Sequence, residues 1–282
     1  MMDYDSSEFG RHAGQALERI RQAHPLVHHI TNFVVMNDTA NATLHVGALP
    51  VMAHAIEEVA EMVDLAGALV LNPGTLTPEW VRSMLAAGQR ANERGVPVVL
   101  DPVGAGATRL RTNSNLQLLS ELHIAVLRGN AGEVGALAGV RTEVRGVESV
   151  RGPDDVVGVA RAMARRHRAV IAITGQRDII SDGDRVLGVD NGHAWLTTIT
   201  GTGCMSTTMV AAFCAVEQDY LFAAAYGLAC FGLAGELAAR EARGPASFKV
   251  ALLDQLYNLT PQELAAGARI MAIGPAAESD HA

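Results

Sequence analysis

The strongest chemical signal in the chain is the run Thr200-Gly201-Thr202-Gly203-Cys204, which leads into an apolar stretch of helical length. Glycines ahead of a helix let the backbone approach a ligand closely, and the first free N–H groups of the helix point at it. The helix dipole favours negative charge there, so the segment reads as an anion hole for a phosphate in transfer. A glycine-rich turn that merely starts a helix would carry the same letters. Cys204 falls in the first turn, where the dipole is expected to lower a thiol pKa. A small buried residue is the plainer alternative.

Two acids stand out. Asp101 follows an apolar run and precedes Pro102, and Glu133 lies three residues after Asn130, so that both share a helix face. Together Asp101 and Glu133 offer hard oxygens suited to Mg²⁺, which usually keeps several waters and binds substrate phosphates. A turn cap for Asp101 and a solvated helix position for Glu133 are the simpler roles. Arg128, at a strand end, can clamp a phosphate bidentately or make a surface ion pair. His28 and His29 have no partner at metal-ligand spacing and read as packing or hydrogen-bonding residues.

These side chains need a scaffold that gathers them. Continuous apolar runs at 68–71, 96–100, 124–127 and 169–173 have the length of parallel strands buried on both faces. Helical stretches at 78–94 and 153–168 alternate with them, the first opening on Pro78 and the second marked by Gly152-Pro153-Asp154-Asp155. Segments 178–181 and 185–189 flank Asp182-Gly183-Asp184 and read as an antiparallel hairpin. Beyond it the chain turns helical, at 204–216, at 220–243 and in a short pair ending at 268, with 274–282 expected to fray. The pattern implies an α/β fold, a mostly parallel sheet covered by helices, and one domain spanning 1–282. Ligands of such sheets bind beyond the carboxyl ends of the strands, where Asp101, Arg128, Asn130, Glu133 and Thr174 would meet.

Composition excludes several function classes. In 282 residues, 49% are hydrophobic and 18% charged, which rules out intrinsic disorder. Thirty acids against 22 bases leave a net charge of −8, with no basic excess for nucleic acid. Lys249 is the sole lysine, and its Ser-Phe-Lys-Val context suits neither a P-loop nor a Schiff base. Cys204, Cys214 and Cys230 form no CxxC pair, which reads as a reducing compartment, with Cys214 and Cys230 buried. The acidic first residues do not read as a secretory signal, and no apolar run reaches membrane-span length without charge or glycine. A cytoplasmic protein is expected.

The motifs, taken together, resemble the hydroxyethylthiazole kinase family. The resemblance rests on Pro25-Leu-Val-His-His-Ile-Thr-Asn32, Thr39-Ala-Asn41 and Gly47-Ala-Leu-Pro-Val-Met-Ala-His54. It continues through Asp101-Pro-Val-Gly-Ala-Gly-Ala-Thr108, Arg128-Gly-Asn-Ala131 with Glu133, Ile173-Thr-Gly175 and Gly201-Thr-Gly-Cys204. It is collinear from about Pro25 to Phe248. It implies a ribokinase-like fold and transfer of the γ-phosphate of ATP to the primary alcohol of 4-methyl-5-(2-hydroxyethyl)thiazole, a thiamine-salvage step, with Mg²⁺. It also implies a homotrimer with active sites between subunits. By motif, Met52 and Gly201 would contact the thiazole with Asn32 beside them, and Arg128 and Thr174 would bind ATP. Asp101 and Glu133 would hold Mg²⁺, and Cys204 stands where many ribokinase-like enzymes place an Asp base.

Three positions depart from the family pattern. Asp38 replaces an aromatic or apolar residue on the substrate side, Gln176 replaces a Glu after Thr-Gly, and His45 interrupts an apolar stretch. Other readings make different demands. A hydroxymethylpyrimidine kinase or hydrate dehydratase would lack the Pro-Val-Met-Ala-His segment. A hydrolase with Cys204 as nucleophile needs a His base, for which His193 is the nearest candidate after the strands. A nucleotide-binding regulatory module would not need the Asp101, Glu133 and Cys204 set.

Overall fold

The computed structural model describes residues 6–140, 143–145, 148–151 and 155–274. Its strands are β1 (Leu26–Ile30), β2 (Leu49–Val51), β3 (Ala68–Leu71), β4 (Val98–Leu100), β5 (Val126–Asn130), β6 (Glu143–Arg145), β7 (Glu148–Arg151), β8 (Val170–Thr174), β9 (Asp178–Ser181), β10 (Val186–Val189) and β11 (Ile270–Ala272). Nine of them form one sheet in the order β11-β10-β9-β8-β5-β4-β3-β1-β2, and β6 and β7 make a separate ribbon. From β8 to β2 every pairing is parallel, whereas β9, β10 and β11 add on antiparallel.

The mostly parallel sheet matches the sequence expectation, and the side chains of β3 show why. Ala68 and Val70 enter one core, Leu69 and Leu71 the other, so all four must be apolar. The first core lies under α1 (Ser6–Ala23), α2 (Met36–Val46), α8 (Thr202–Cys214), α9 (Tyr220–Glu241), α10 (Pro245–Asn258) and α11 (Pro261–Gly267). The second lies under α3 (Val59–Asp64), α4 (Pro78–Arg94), α5 (Arg109–Glu121), α6 (Ala131–Ala138) and α7 (Val156–His167).

Several boundaries shift for physical reasons. The run at 124–127 becomes β5, which continues through Arg128, Gly129 and Asn130 because β8 pairs with it as far as Asn130↔Thr174. That pairing overrides the polarity of the strand's end. Helix α4 spans 78–94 as expected, with Thr77 accepting from the Trp80 N–H and Gly95 closing it at φ 69°. Of the marker for α7, residues 152–154 lie outside the described residues, and Asp155 caps the helix by accepting from the Gly158 N–H. The hairpin forms with Gly183 at φ 104°. Helix α8 starts at Thr202, two residues before the expected start. Helix α9 is, against expectation, long and apolar enough to cross a membrane by length and composition, but it is mostly buried, packed against α8 and α10. Residues 275–282, expected to fray, lie outside the described residues.

Candidate active site

Carboxyl ends of β1, β3 and β4 deliver Asn32, Asn72 and Asp101 to one spot, where the first turn of α8 brings Cys204. All three polar side chains are buried. The Asn72 amide uses its full capacity of two donors and two acceptor sites. It donates to Asp101 Oδ2 at 3.0 Å and to Cys204 Sγ at 3.1 Å. Its oxygen accepts from Asn32 Nδ2 at 2.9 Å and from the Gly74 N–H at 3.1 Å. Thr207, one turn into α8, donates to the same Asp101 oxygen at 2.9 Å. Asn32 Nδ2 also lies 3.7 Å from Cys204 Sγ.

The second acid is built into a helix start. Asn130 caps α6 by accepting from the Glu133 N–H at 2.9 Å, while Glu133 Oε2 accepts from the Asn130 N–H at 3.0 Å. Glu133 Oε1 accepts from the Gly104 N–H at 2.8 Å, which ties the turn after β4 to α6. Burial and the neighbouring Asp101 carboxylate push Glu133 up to about 7. Burial likewise raises Asp101, against the pull of Arg128.

Arg128 points from β5 into the space between these acids and the next strands. Its Nη2 donates to Thr174 Oγ1 at 2.7 Å, and its buried Nε has no acceptor. A Cβ on Gly203 would lie 3.0 Å from Arg128 Nη1, so glycine gives the guanidinium the most room beside α8. Gly201, the residue before α8, has φ 92° and no side-chain cap, leaving the first-turn amides free for a ligand. From here a cleft of about 1200 Å³ opens, lined by Arg128, Thr174, Asp178, Thr202, Gly203 and, at its apolar part, Leu196, Leu228 and Phe231. One buried polar cluster thus abuts a large cleft whose near end offers an arginine and a helix N-terminus.

The chain is similar to proteins of known family. The model of the hydroxyethylthiazole kinase family matches residues 17–262. The chain belongs to this family. A hydroxyethylthiazole kinase from Roseiflexus sp. (strain RS-1) is 69% identical over 258 residues, covering 92% of this chain and 96% of that protein. The solved structure of a hydroxyethylthiazole kinase from Pyrococcus horikoshii is 44% identical, with a TM-score of 0.86 and coverage of 94% of this chain and all of the other. A ribokinase-like superfamily protein from Enterococcus faecalis shares the fold at a TM-score of 0.62 and 13% identity, over 92% of this chain and 96% of its own. The chain is a kinase of ribokinase-like fold, with ATP as co-substrate and a small molecule as acceptor.

The residues expected at the site fall into three groups. Asn32, Asp101 and Cys204 form the buried cluster, Glu133 neighbours Asp101, and Arg128 joins Thr174. Gly201 faces Val35 and Asp38 of the α2 start instead: a Cβ there would lie 2.8 Å from Val35 Cγ1 and 3.9 Å from Asp38 Oδ2. Met52 follows β2, one strand out from the Asn32 end of β1, and takes no part in the hydrogen-bonded cluster. His28 and His29 are buried hydrogen-bonding residues, on the Ala53 carbonyl and the Thr43 hydroxyl. His193 turns to Trp195, accepting from its N–H, so the hydrogen-bond partners of Cys204 are Asn72, Asn32 and Asp101, none of them a histidine. The histidine base that a cysteine hydrolase needs is not at Cys204.

One expectation is overturned. The thiol of Cys204 is pushed up to about 12, not down, because burial and the Asp101 carboxylate outweigh the start of α8. Sequence reasoning also missed Asn72 and Thr207. Asn72 follows an apolar strand just as Asp101 does, and that position was its signal. Its neighbours Pro73 and Gly74 disguise it as a turn residue. Asp38, a departure from the family pattern, is held by Lys249 at 2.7 Å.

Proposed function

We propose that this chain transfers the γ-phosphoryl group of ATP to the primary hydroxyl of hydroxyethylthiazole, as a step of thiamine salvage. The observation that carries this reading is the convergence of the uncapped α8 start, the Arg128 guanidinium with its unused Nε, and the Cys204 cluster at one sheet edge. Phosphoryl transfer asks mainly for positioning and charge stabilisation, which fixed backbone amides and an arginine supply. Arg128 and Thr174 would hold the phosphates of ATP in the cleft. Met52, Asn32 and Gly201 would surround the thiazole on the β1–β2 side.

Cys204 would receive the alcohol proton late in the transfer. Its thiol is no preformed thiolate, and its own proton is hydrogen-bonded to Asp101. Uptake of the substrate proton by Sγ is therefore coupled to release of the S–H proton toward the carboxylate. Asn72 fixes the sulfur for this exchange.

Asp101 and Glu133 fit Mg²⁺. They are two buried carboxylates, of which Asp101 makes Glu133 costlier to ionise, with lone pairs to spare beyond their neutral donors. A cation held by them, directly or through water, would neutralise charge on the β- and γ-phosphates.

We place the active unit as a homotrimer in the cytoplasm. Phe33, Val34, Leu44, Leu49, Val250 and Tyr257 are large apolar side chains left exposed on the β2 side of the sheet, around α2 and α10. A subunit covering this side would complete the surroundings of Met52. Light scattering should give about three times 29.7 kDa, and a fully active monomer would refute a shared site. The function itself is tested by coupled ADP release over thiazole, pyrimidine and sugar alcohols. Preference for hydroxyethylthiazole is expected, and preference for a hydroxymethylpyrimidine would overturn the reading.

A further inference from the structure

Two carboxylates line the nucleotide-sized cleft, Asp178 and Asp190. Asp190 is committed, its oxygens held by Arg177 at 2.6 and 2.8 Å. Asp178 is not. It is 9% exposed, opens β9, and its Oδ1 accepts from the Gly175 N–H at 3.0 Å. Its Oδ2 has neither a hydrogen-bond partner nor an ion pair among the described residues, and it is not sealed off as an orphan either, so it faces the cleft. Burial pushes this acid up to about 6, which still leaves it ionised at pH 8. An ionised oxygen with no protein donor, open to a cleft, is free to accept from a ligand bound there.

Position names the ligand group. Along the carboxyl edge of the sheet, Arg128 stands on β5, Thr174 on the next strand β8, and Asp178 on the strand after that, β9. Neighbouring strands lie about 4.8 Å apart, so Asp178 sits roughly 10 Å from the Arg128 strand and further still from Asp101 on β4. With phosphates at Arg128 and Thr174, the next part of ATP outward is the sugar. A carboxylate repels phosphate but accepts strongly from hydroxyls. The apolar part of the cleft, Leu228 and Phe231, remains for the base.

We infer that Asp178 is a specificity-determining residue that accepts a hydrogen bond from the ribose hydroxyls of ATP and makes the enzyme select ribonucleotides. The inference rests on the placement of ATP proposed above.

A site that hydrogen-bonds a substrate hydroxyl rejects the analogue lacking it, because its own polar group is then left unpaired. Wild-type kcat/KM should therefore drop about tenfold from ATP to 2′-deoxyATP or 3′-deoxyATP. Asp178→Asn keeps an oxygen for the Gly175 N–H and replaces only the free oxygen, so the turn is preserved. It should raise the KM for ATP about tenfold, move that for the rejected deoxy analogue little, and so flatten the preference. Wild-type enzyme that uses all three nucleotides equally would overturn the inference. So would a variant whose KM rises equally for all three, the mark of a turn that has merely loosened. Arg128→Lys run in parallel separates the two levels. If it raises the ATP KM while Asp178→Asn changes nothing, ribose recognition alone falls. If neither variant moves the ATP KM, the placement of ATP in this cleft falls with it.

Discussion

Asn72→Asp is the sharpest perturbation available, because it changes a single NH₂ to an oxygen at the centre of the buried cluster. The new Oδ1 still accepts from Asn32 and the Gly74 N–H. The other oxygen faces Asp101 Oδ2 at 3.0 Å, where a donor used to be. Two unit charges that close repel by about 5 kcal/mol at an effective dielectric of 20. The fold avoids this by keeping one proton on the pair, so the introduced acid has a raised pKa. A carboxyl raised in the fold above its unfolded value of about 4 costs nothing below that pH. The cost then grows by about 1.4 kcal/mol per pH unit, reaching about 4 kcal/mol at pH 7. For a chain of this size that is a drop of about 7 °C in Tm. Metal-free wild type and variant should therefore melt together near pH 4 and separate by about that much at pH 7 in a calorimetric scan. Turnover should fall about a hundredfold, since the shared proton ties Asp101 to the new acid and Cys204 loses its amide donor. A Tm difference that stays constant between pH 4 and pH 7 would refute the reasoning.

Glu133, already raised to about 7, should make Mg²⁺ compete with protons: the Mg²⁺ concentration for half-maximal rate should rise about fivefold from pH 7 to pH 6. The dependence should vanish in Glu133→Gln, and a flat wild-type profile over that range would remove Glu133 from the metal site. Arg128→Lys replaces a fork by a point charge and should raise the KM for ATP about tenfold while leaving that for the thiazole alcohol nearly unchanged. An equal rise in both constants would indicate general loosening. Cys204→Ala should slow turnover by about two orders of magnitude without abolishing it, whereas Cys204→Asp should retain substantial activity. In the wild type, iodoacetamide should label Cys204 slowly at pH 8 and rapidly only above pH 10, and a titration near pH 8.5 would contradict the raised thiol.

What the sequence could announce was whatever local spacing encodes. Asp101 after three buried valine and leucine residues, and Asn130 with Glu133 at cap spacing, declare themselves because no core position explains them. Asn72 occupies the same kind of place after β3, but its importance depends on β3 lying between β1 and β4 in the sheet, an adjacency that chain order does not state. Thr207 was hidden for a related reason: inside an apolar helix a threonine looks like packing until Asp101 is set beside it. The Cys204 thiol shows the same limit in electrostatics. Its helix position argues for a lower pKa, and the carboxylate that reverses the sign arrives from a strand about a hundred residues earlier in sequence. Single side chains were legible, and the couplings among them were a product of topology.

Helices α1 and α11, from opposite ends of the described chain, pack against each other so closely that a Cβ on Gly10 or Gly14 would strike the Ala265 or Pro261 carbonyl. Strand β11, directly after α11, also closes the antiparallel end of the sheet on β10. During synthesis α1 must therefore wait, with its Gly10 and Gly14 face uncovered, until α11 has followed it. Loop-closure entropy of this kind slows folding and concentrates it into one late step. A chain cut before Pro261 would then be expected to leave the ribosome as an aggregation-prone intermediate, and a circular permutant that links the end of β11 to the start of α1 should fold faster than the parent.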